Sequence, residues 1–210
     1  MIYHETEHGV LYCGDCLDIL PTLADKSVDL VLTDPPFGIG NFVQTGGNVR
    51  GDRVEWNEAV PPQAAFNEMI RASRHQIIWG ANFFNCFPKC GGAIVWVKNQ
   101  PMPNFSKAEI ASCTYHKKTE IVTITWTNFV NNKVSSHPCE RPVELYQWCL
   151  TKYTNIGNTI LDPFAGSGTT AIACIRLNRK YILIEKEEKY CEIAAKRIET
   201  ELDQTVIDLT

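Results

Sequence analysis

The feature that most constrains this chain is a regular alternation of short apolar runs with longer helical patterns. Short runs rich in β-branched and aromatic residues predict seven strands, at residues 10–13, 28–33, 76–79, 93–97, 121–126, 159–161 and 181–185. Amphipathic or well-capped stretches between them predict helices, at residues 16–23, 62–73, 142–153, 171–177 and 187–202. Such alternation over 210 residues indicates an α/β fold with a doubly wound, mostly parallel sheet.

Two parts of the chain do not follow the alternation. No helical pattern separates residues 93–97 from 121–126, so we expect these runs to form an antiparallel hairpin at one sheet edge. Residues 38–57 are rich in Gly and Asn and predict a loop, and residues 98–118 predict an excursion from the sheet. Without repeats or low-complexity tracts, we expect a single domain over residues 1–210.

The composition excludes several classes of protein. Apolar residues make up 44% and charged residues 21%, close to globular averages, so a disordered or fibrous chain is excluded. No apolar run approaches the roughly 20 residues of a membrane span, and the first residues lack the pattern of a signal peptide. We therefore expect a cytoplasmic protein whose nine cysteines are reduced thiols.

The charge is distributed unevenly along the chain. A net charge of −4 argues weakly against nucleic-acid binding. However, residues 71–118 carry a net charge of +6, whereas residues 1–70 carry −8 and residues 119–210 carry −2. A basic middle segment predicts one positive face that could contact a polyanion. The alternative is a lysine-rich surface that is simply solvated.

The first chemical motif is Asp34-Pro35-Pro36-Phe37, which directly follows the strand at 28–33. In open α/β sheets, ligands bind at the carboxyl ends of strands. Two prolines stiffen the backbone, so the Asp34 carboxylate and the Pro35 carbonyl can offer two acceptors to a planar amino group. Phe37 adds a face on which a ring can stack. Two acceptors would make the amine more nucleophilic toward a methyl donor; the alternative is a rigid turn that ends a buried strand.

The second motif is a glycine turn between the strand at 159–161 and the helix at 171–177. Small residues at such a turn let a ligand approach the backbone closely. The turn lacks the lysine of a phosphate-binding loop and the spacing of a dinucleotide fingerprint. Glu185 ends a strand about 20 residues further on, where an acidic side chain can accept hydrogen bonds from ribose hydroxyls. These features predict a site for an adenosine-type cofactor.

Together the motifs resemble those of the DNA amino-methyltransferases, which use S-adenosylmethionine. The segment DPPF at 34–37 is similar to the catalytic tetrapeptide of that family, and DPFAGSGTT at 162–170 is similar to its cofactor loop. Asp15 and Cys16 lie in a segment that resembles the one bracketing the cofactor's adenine. His137-Pro138 and Arg141-Pro142 resemble the HP-x-x-KP segment ahead of the cofactor helix. The catalytic motif precedes the cofactor motif, as in the family's beta class and its short, often phage-encoded members.

This resemblance implies a fold, a reaction and a set of residues. It implies the seven-stranded methyltransferase sheet, catalysis by residues 34–37, and methylation of the N6 amine of adenine, because the tetrapeptide begins with Asp rather than Ser. Phe37 stands where Tyr is commoner, and Arg141 where Lys is usual. The cofactor residues that it implies are Asp15, Cys16, Asp34, His137, Arg141, Pro142, Asp162, Phe164, Ala165, Gly166, Ser167, Gly168, Thr169 and Glu185.

The same resemblance implies contacts with DNA. A base inside a duplex must be flipped out to reach Asp34, and the methyl group then passes in line to its nitrogen. We expect the loop at 38–57 and the excursion at 98–118 to contact DNA, because basic side chains grip phosphates. The candidates are Arg50, Arg53, Lys98, Lys107, Lys117 and Lys118. Little of the chain is left for a recognition domain, so we expect a short target site and a homodimer that extends the footprint.

Other functions stay open at this point. The nearest alternative is methylation of the N4 amine of cytosine. Methylation of RNA or of a protein glutamine is another, although families with those activities usually place the cofactor motif first; a third is an inactive nucleic-acid-binding domain. Cys13, Cys16, Cys86 and Cys90 could be drawn as a zinc site, but the first pair lies in the segment that the cofactor would use, so we expect no metal.

Overall fold

The computed structural model describes residues 1–38, 59–84, 91–99, 106–125 and 141–207 of the chain. In these ranges, helices pack on both faces of one large sheet. Its strands are β1 (Ile2–Thr6), β2 (Gly9–Cys13), β3 (Val28–Thr33), β4 (Ser73–Trp79), β5 (Gly92–Val97), β6 (Ala108–Cys113), β7 (Thr119–Thr123), β8 (Thr159–Asp162) and β9 (Lys180–Glu185). The helices are α1 (Cys16–Ile19), α2 (Gln63–Ala72), α3 (Val143–Tyr153), α4 (Thr169–Arg176) and α5 (Glu188–Ile207), with 3₁₀ turns at Leu20–Thr22 and Ala81–Phe83.

The strand order of the sheet is β1-β2-β9-β8-β3-β4-β6-β5-β7. The strands from β2 to β4 in this order run parallel, and β6 runs antiparallel to both of its neighbours. Consequently β2, β9, β8, β3, β4, β5 and β7 all end at one edge of the sheet, where β6 begins. We call it the carboxyl edge. The order confirms the doubly wound α/β class and departs from the expected strand arrangement.

The expected antiparallel hairpin is wrong. β5 and β7 pair in parallel, with Val95 opposite Ile121. The antiparallel strand is β6, which lies between β4 and β5, so residues 108–113 belong to the sheet and are not an excursion from it. The sequence of β6, AEIASC, contains few β-branched residues. It forms a strand by pairing with β4 and β5 on either side, where Ala111 and Cys113 are buried.

A second unpredicted strand, β1, raises the number of strands in the described ranges to nine instead of seven. It is an exposed edge strand that pairs only with β2, so it lacks the dense apolar run that identifies a buried strand. The five predicted helices are confirmed, with their ends shifted by a few residues. In α1, for example, the Asp15 carboxylate accepts a hydrogen bond from Leu17 N at 3.0 Å and caps the helix.

Both faces of the sheet are buried, which explains the density of apolar residues in its strands. Alternate residues of β3 point to opposite faces: Leu32 packs in the core with α3 to α5, whereas Val31 packs with α1 and α2. Each such fully buried side chain contributes roughly 1.5–3 kcal/mol. None of the helices in the described ranges is long and apolar enough to cross a membrane.

Candidate active site

Asp34 lies at the carboxyl edge, directly after β3. Its side chain is 17% exposed, and it follows Thr33, which is completely buried. The Arg141 guanidinium makes a two-pronged contact with this carboxylate: Nη2 donates to Oδ1 at 2.7 Å, and Nε lies 2.7 Å from Oδ2. Burial raises the pKa of Asp34 above its usual value, and Arg141 opposes this effect. Asp34 is therefore an acceptor whose two oxygens already face a cation.

Two further charged residues extend this pair, and sequence reasoning gave neither of them this role. Arg141 Nη1 also forms an ion pair with Glu109, at the start of β6, and Glu109 pairs in turn with Lys98. Burial alone would raise the pKa of Glu109, but the neighbouring Arg141 and Lys98 lower this pKa below its usual value. One sequence signal existed, because Glu109 is the single acidic residue in the basic segment 71–118.

Phe37 belongs to a small aromatic cluster next to Asp34. Its ring stacks on Phe83, with ring centres 4.7 Å apart and planes at 12°, and lies 5.9 Å from the ring of Phe84. Phe83 is 45% exposed. An open cleft of about 230 Å³ lies here, and its lining consists of Phe37, Gly80, Asn82, Phe83, Val95, Ser106, Ala108, Glu109 and Ile110. A flat ring could enter this cleft and stack near Asp34.

The glycine turn follows β8, the strand next to β3 in the sheet. Gly166 and Gly168 have φ angles of 52° and 81°, in the left-handed region that favours glycine. Gly166 N donates to Glu185 Oε2 at 2.7 Å. Arg197 of α5 donates through Nη1 to the Ser167 carbonyl oxygen at 2.8 Å and to Ser167 Oγ at 2.6 Å. The turn is therefore held from both sides.

Asp162 lies inside the protein and does not face the open site. It accepts hydrogen bonds from Thr33 Oγ1 at 2.6 Å, from Phe164 N at 3.1 Å and from Thr170 Oγ1. Burial raises the pKa of Asp162 to about 6, against the effect of these hydrogen bonds. The resemblance implied that Asp162 binds the cofactor; the structure shows it tying β3, the turn and α4 together.

Glu185 and Asp15 lie at the ends of the next two strands. Glu185 accepts from Glu187 N at 2.9 Å in addition to Gly166 N, and burial raises the pKa of its carboxyl. Asp15 Oδ2 pairs with Lys186 at 3.2 Å. Beside it, burial and the nearby Asp15 carboxylate raise the pKa of the Cys16 thiol to about 12, so this thiol is neutral. The order β2-β9-β8-β3 thus places Asp15, Glu185, the glycine turn and Asp34 side by side along the carboxyl edge.

By sequence, this chain is similar to known DNA methyltransferases. A family model described as DNA methylase matches residues 109–196. The Type II methyltransferase M2.DpnII of Streptococcus pneumoniae is 26% identical over 95% of this chain and 92% of its own length. The Type II methyltransferase M2.MboI of Moraxella bovis is 27% identical over 89% of this chain and 86% of its own length. By sequence, this chain resembles the beta-class DNA amino-methyltransferases.

Solved structures show the same fold. The PvuII DNA methyltransferase, which is cytosine-N4-specific, superposes with a TM-score of 0.67 at 18% identity, over 94% of this chain and 91% of its own. The complex of M1.HpyAVI with S-adenosylmethionine gives a TM-score of 0.59 at 25% identity, over 89% of this chain and 98% of its own. The methyltransferase fold expected from the two motifs is therefore confirmed.

The structure separates the residues that we expected to contact DNA. Lys107, at the start of β6, lies at the carboxyl edge and is exposed, whereas Lys117 and Lys118 lie at the opposite edge, where β6 ends. Lys118 Nζ pairs there with Glu120 at 2.5 Å. Lys98 was expected on the surface, but its side chain is only 7% exposed and pairs with Glu109. The described lysines of the basic middle segment therefore do not lie on one positive face.

Several expected residues remain outside or beside the site. Arg50, Arg53 and His137 lie outside the described residues, as do Cys86 and Cys90. Pro142 is buried and precedes the first residue of α3, and Arg141 before it faces Asp34 and Glu109. Within the described ranges, no three His, Cys, Asp or Glu side chains are grouped closely enough to hold a metal ion.

Proposed function

We propose that this protein is a DNA methyltransferase that transfers a methyl group from S-adenosylmethionine to the exocyclic N6 amine of a flipped adenine. One observation carries the proposal. The hydrogen bond of 2.6 Å from Thr33 Oγ1 to Asp162 Oδ1 joins the strand end that carries Asp34 to the start of the glycine turn. A cofactor at the turn and an amine at Asp34 would then lie on adjacent strand ends, about 4.8 Å apart in strand spacing.

The residues along the carboxyl edge suit this cofactor. When bound, S-adenosylmethionine supplies an electrophilic methyl group. The left-handed glycines Gly166 and Gly168 give the turn its tight bend. A Cβ atom on Gly168 would lie 3.0 Å from Cβ of Ala194, so this glycine lets the turn pack closely against α5. The Glu185 carboxylate accepts only backbone N–H groups in the described contacts, so its remaining lone pairs could accept ribose hydroxyls. The neutral, apolar Cys16 suits the wall of an adenine pocket.

The residues 34–37 would act on the amine. The Asp34 carboxylate and the Pro35 carbonyl accept its two N–H groups, which leaves the nitrogen lone pair directed at the methyl group. As the nitrogen–carbon bond formed and the sulfonium carbon–sulfur bond broke, positive charge would develop on this nitrogen, and the nearby Asp34 carboxylate would stabilise it until the nitrogen lost one of its protons. Phe37, supported by Phe83, stacks on the flipped base and fixes its orientation.

The choice of base is part of the proposal. An Asp at position 34 favours adenine, by the family resemblance, and cytosine N4 is the alternative because it presents the same planar amine. We propose that DNA approaches the carboxyl edge, where Lys107 lies. Contacts from Arg50 and Arg53, a short target site and a homodimer remain predictions; sedimentation of the protein with and without duplex DNA would test the last of these.

The experiment follows the methyl group. Purified protein is incubated with tritiated S-adenosylmethionine and DNA from a methylation-deficient host, and the DNA is then digested to nucleosides for mass spectrometry. We expect labelled N6-methyladenine. Asp34→Ala should lower the rate by about 100-fold or more, whereas Asp203→Ala, the same change on the exposed end of α5, should leave it unchanged.

The outcomes separate the candidates. Labelled N4-methylcytosine would show that the target base is cytosine rather than adenine, with the same class of reaction. Label in RNA or protein, but not in DNA, would replace the substrate. Absence of transfer together with absence of S-adenosylmethionine binding by calorimetry would identify an inactive binding domain and refute the proposal.

A further inference from the structure

Four charged side chains form a continuous chain of ion pairs beside the proposed amine site. Asp34 pairs with Arg141, Arg141 with Glu109, and Glu109 with Lys98. All four are largely buried: the most exposed of them, Asp34, is 17% exposed. Two positive and two negative charges balance, and a balanced set is the form in which buried charges are tolerated.

The two cations in this series of ion pairs, Lys98 and Arg141, both lie against the ring of Trp96. Trp96 is completely buried, and its Nε1 donates to the Ile124 carbonyl oxygen at 2.8 Å. Lys98 Nζ lies 5.2 Å from the centre of its ring, and Arg141 Cζ lies 5.7 Å from it. Trp96 is also the register partner of Glu109 in the β5–β6 ladder. Lys98 and Glu109 are thus positioned by the β5–β6 ladder, and Arg141 lies against the same Trp96 ring.

The arrangement raises a question of competition. Both oxygens of Asp34 already face Arg141 donors, yet the proposed reaction needs an oxygen that accepts the target amine. A guanidinium that had no other anion would hold Asp34 with its full charge and compete with the amine. Glu109 shares this guanidinium, and Lys98 in turn limits how strongly Glu109 attracts it.

We propose that Glu109 and Lys98 are positioning residues for methyl transfer, which act through Arg141 to set how freely the Asp34 carboxylate accepts the hydrogen bond of the target amine. This inference rests on the proposed function, because it gives Asp34 the amine as its partner. Both act through Arg141 in this scheme, and Glu109 also lines the cleft beside Phe37. Glu109 retains Arg141 when Asp34 turns to the amine, and Lys98 keeps Glu109 ionised and in place.

The charges make the two residues act in opposite directions on Asp34. Removing the negative charge of Glu109 leaves Asp34 between two cations, which lowers its pKa and strengthens its hold on Arg141. Removing the positive charge of Lys98 leaves Glu109 with Arg141 as its one cation and removes a charge that lowers the pKa of Asp34, so this pKa rises. Among the described residues, the other titratable groups that influence Asp34 or Arg141 through their charge are Asp162, at the end of β8, and Tyr146, on α3. Neither is altered by the two substitutions.

The test compares Glu109→Gln, Lys98→Met and the double variant, all close in volume to the wild type. Asp34 is titrated by NMR of ¹³C-labelled aspartate carboxyls, with its signal assigned by its loss in Asp34→Asn. Methyl transfer to DNA is measured under single turnover as a function of pH. Thermal unfolding of each variant measures the folded fraction, and the double variant removes a whole ion pair, which is often nearly neutral for stability.

We expect Glu109→Gln to move the Asp34 titration and the acidic limb of the rate to lower pH. It should also slow transfer about tenfold on the pH plateau, with the half-saturating DNA concentration unchanged, because the amine competes less well with Arg141. Lys98→Met should move both to higher pH and should slow transfer on the plateau less than Glu109→Gln does. The double variant should titrate between the two.

Shifts of Glu109→Gln and Lys98→Met in the same direction, or no shift in either, would overturn the inference. So would a loss of rate that merely follows the folded fraction. The failure of the proposed function looks different. In that case the wild type transfers no methyl group to DNA, while the NMR titration still decides whether Glu109 and Lys98 control the Asp34 carboxyl.

Discussion

Gly80 is the position where the smallest substitution should have the most specific effect on the site. It precedes the 3₁₀ turn Ala81–Phe83 and has a φ angle of 71°. A Cβ atom here would lie 2.1 Å from Cε1 of Phe37 and 2.7 Å from Cδ1 and Cζ of the same ring. Since apolar carbon atoms pack at about 3.5 Å or more, Gly80→Ala must push the ring of Phe37 away by roughly 1.4 Å.

The loss of folding stability expected for Gly80→Ala has a local backbone part and a steric part. A non-glycine residue in the left-handed region costs about 1–2 kcal/mol, and overpacking adds about 1–3 kcal/mol. Gly157 provides a matched control, because it has a φ angle of 81° and no atom within 4 Å of its would-be Cβ. Gly157→Ala should therefore show the local part alone, a loss of about 1.5 kcal/mol or roughly 3–6 °C in Tm.

The assay combines thermal unfolding with single-turnover methyl transfer at a temperature where both variants are folded. A displacement of the stacking ring by about 1 Å should lower the transfer rate about 100-fold in Gly80→Ala, whereas Gly157→Ala should keep the wild-type rate. The reasoning would be refuted if Gly80→Ala kept more than half of the wild-type rate. Equal losses of rate in both variants would instead attribute the effect to stability.

Three further predictions concern the turn, the pH dependence and the stability of the fold. Arg197→Met should weaken S-adenosylmethionine binding about tenfold by calorimetry, because Ser167 loses two hydrogen bonds from Arg197. The control Arg176→Met removes an ion pair with α5 and should bind the cofactor with the wild-type affinity. Equal affinities of the two variants would contradict the prediction. The raised pKa of Asp162, about 6, means that the folded state binds the proton more tightly, so this group stabilises the fold below about pH 4 and the contribution is lost as pH rises through 6. The Tm of the wild type minus that of Asp162→Asn should accordingly fall between pH 4 and 7, and a rise would show the opposite sign. Arg71→Met should lower the free energy of unfolding by about 2 kcal/mol, because the Arg71 guanidinium donates to the backbone carbonyls of Leu20 and Leu23, at and after the first 3₁₀ turn. Arg74→Met, at a 63% exposed side chain, should change the free energy of unfolding by less than about 0.5 kcal/mol. Similar losses in both variants would refute the stabilising role of Arg71.

The sequence determined the parts of this protein that depend on neighbouring residues. The apolar run of β3 that leads into Asp34 and the glycine turn after β8 each carry their own local signal. So do the capped helix at Asp15 and the acidic end of β9 at Glu185. Because strand ends in such a sheet meet at one edge, these signals were sufficient to predict the α/β fold and to bring Asp15, Asp34, the glycine turn and Glu185 to that edge.

Only the tertiary structure decided which distant residues surround Asp34. The sequence of β6 lacks a clear strand pattern, so neither its place between β4 and β5 nor the position of Glu109 could be predicted. Lys98 looked like a surface cation, yet it lies buried beside Glu109. The physical reason is that a charge can be buried only with a partner, and these partners come from segments far apart in the chain. Periodicity and local motifs describe what each segment can form, whereas the pairing of buried charges is fixed only when the segments pack together.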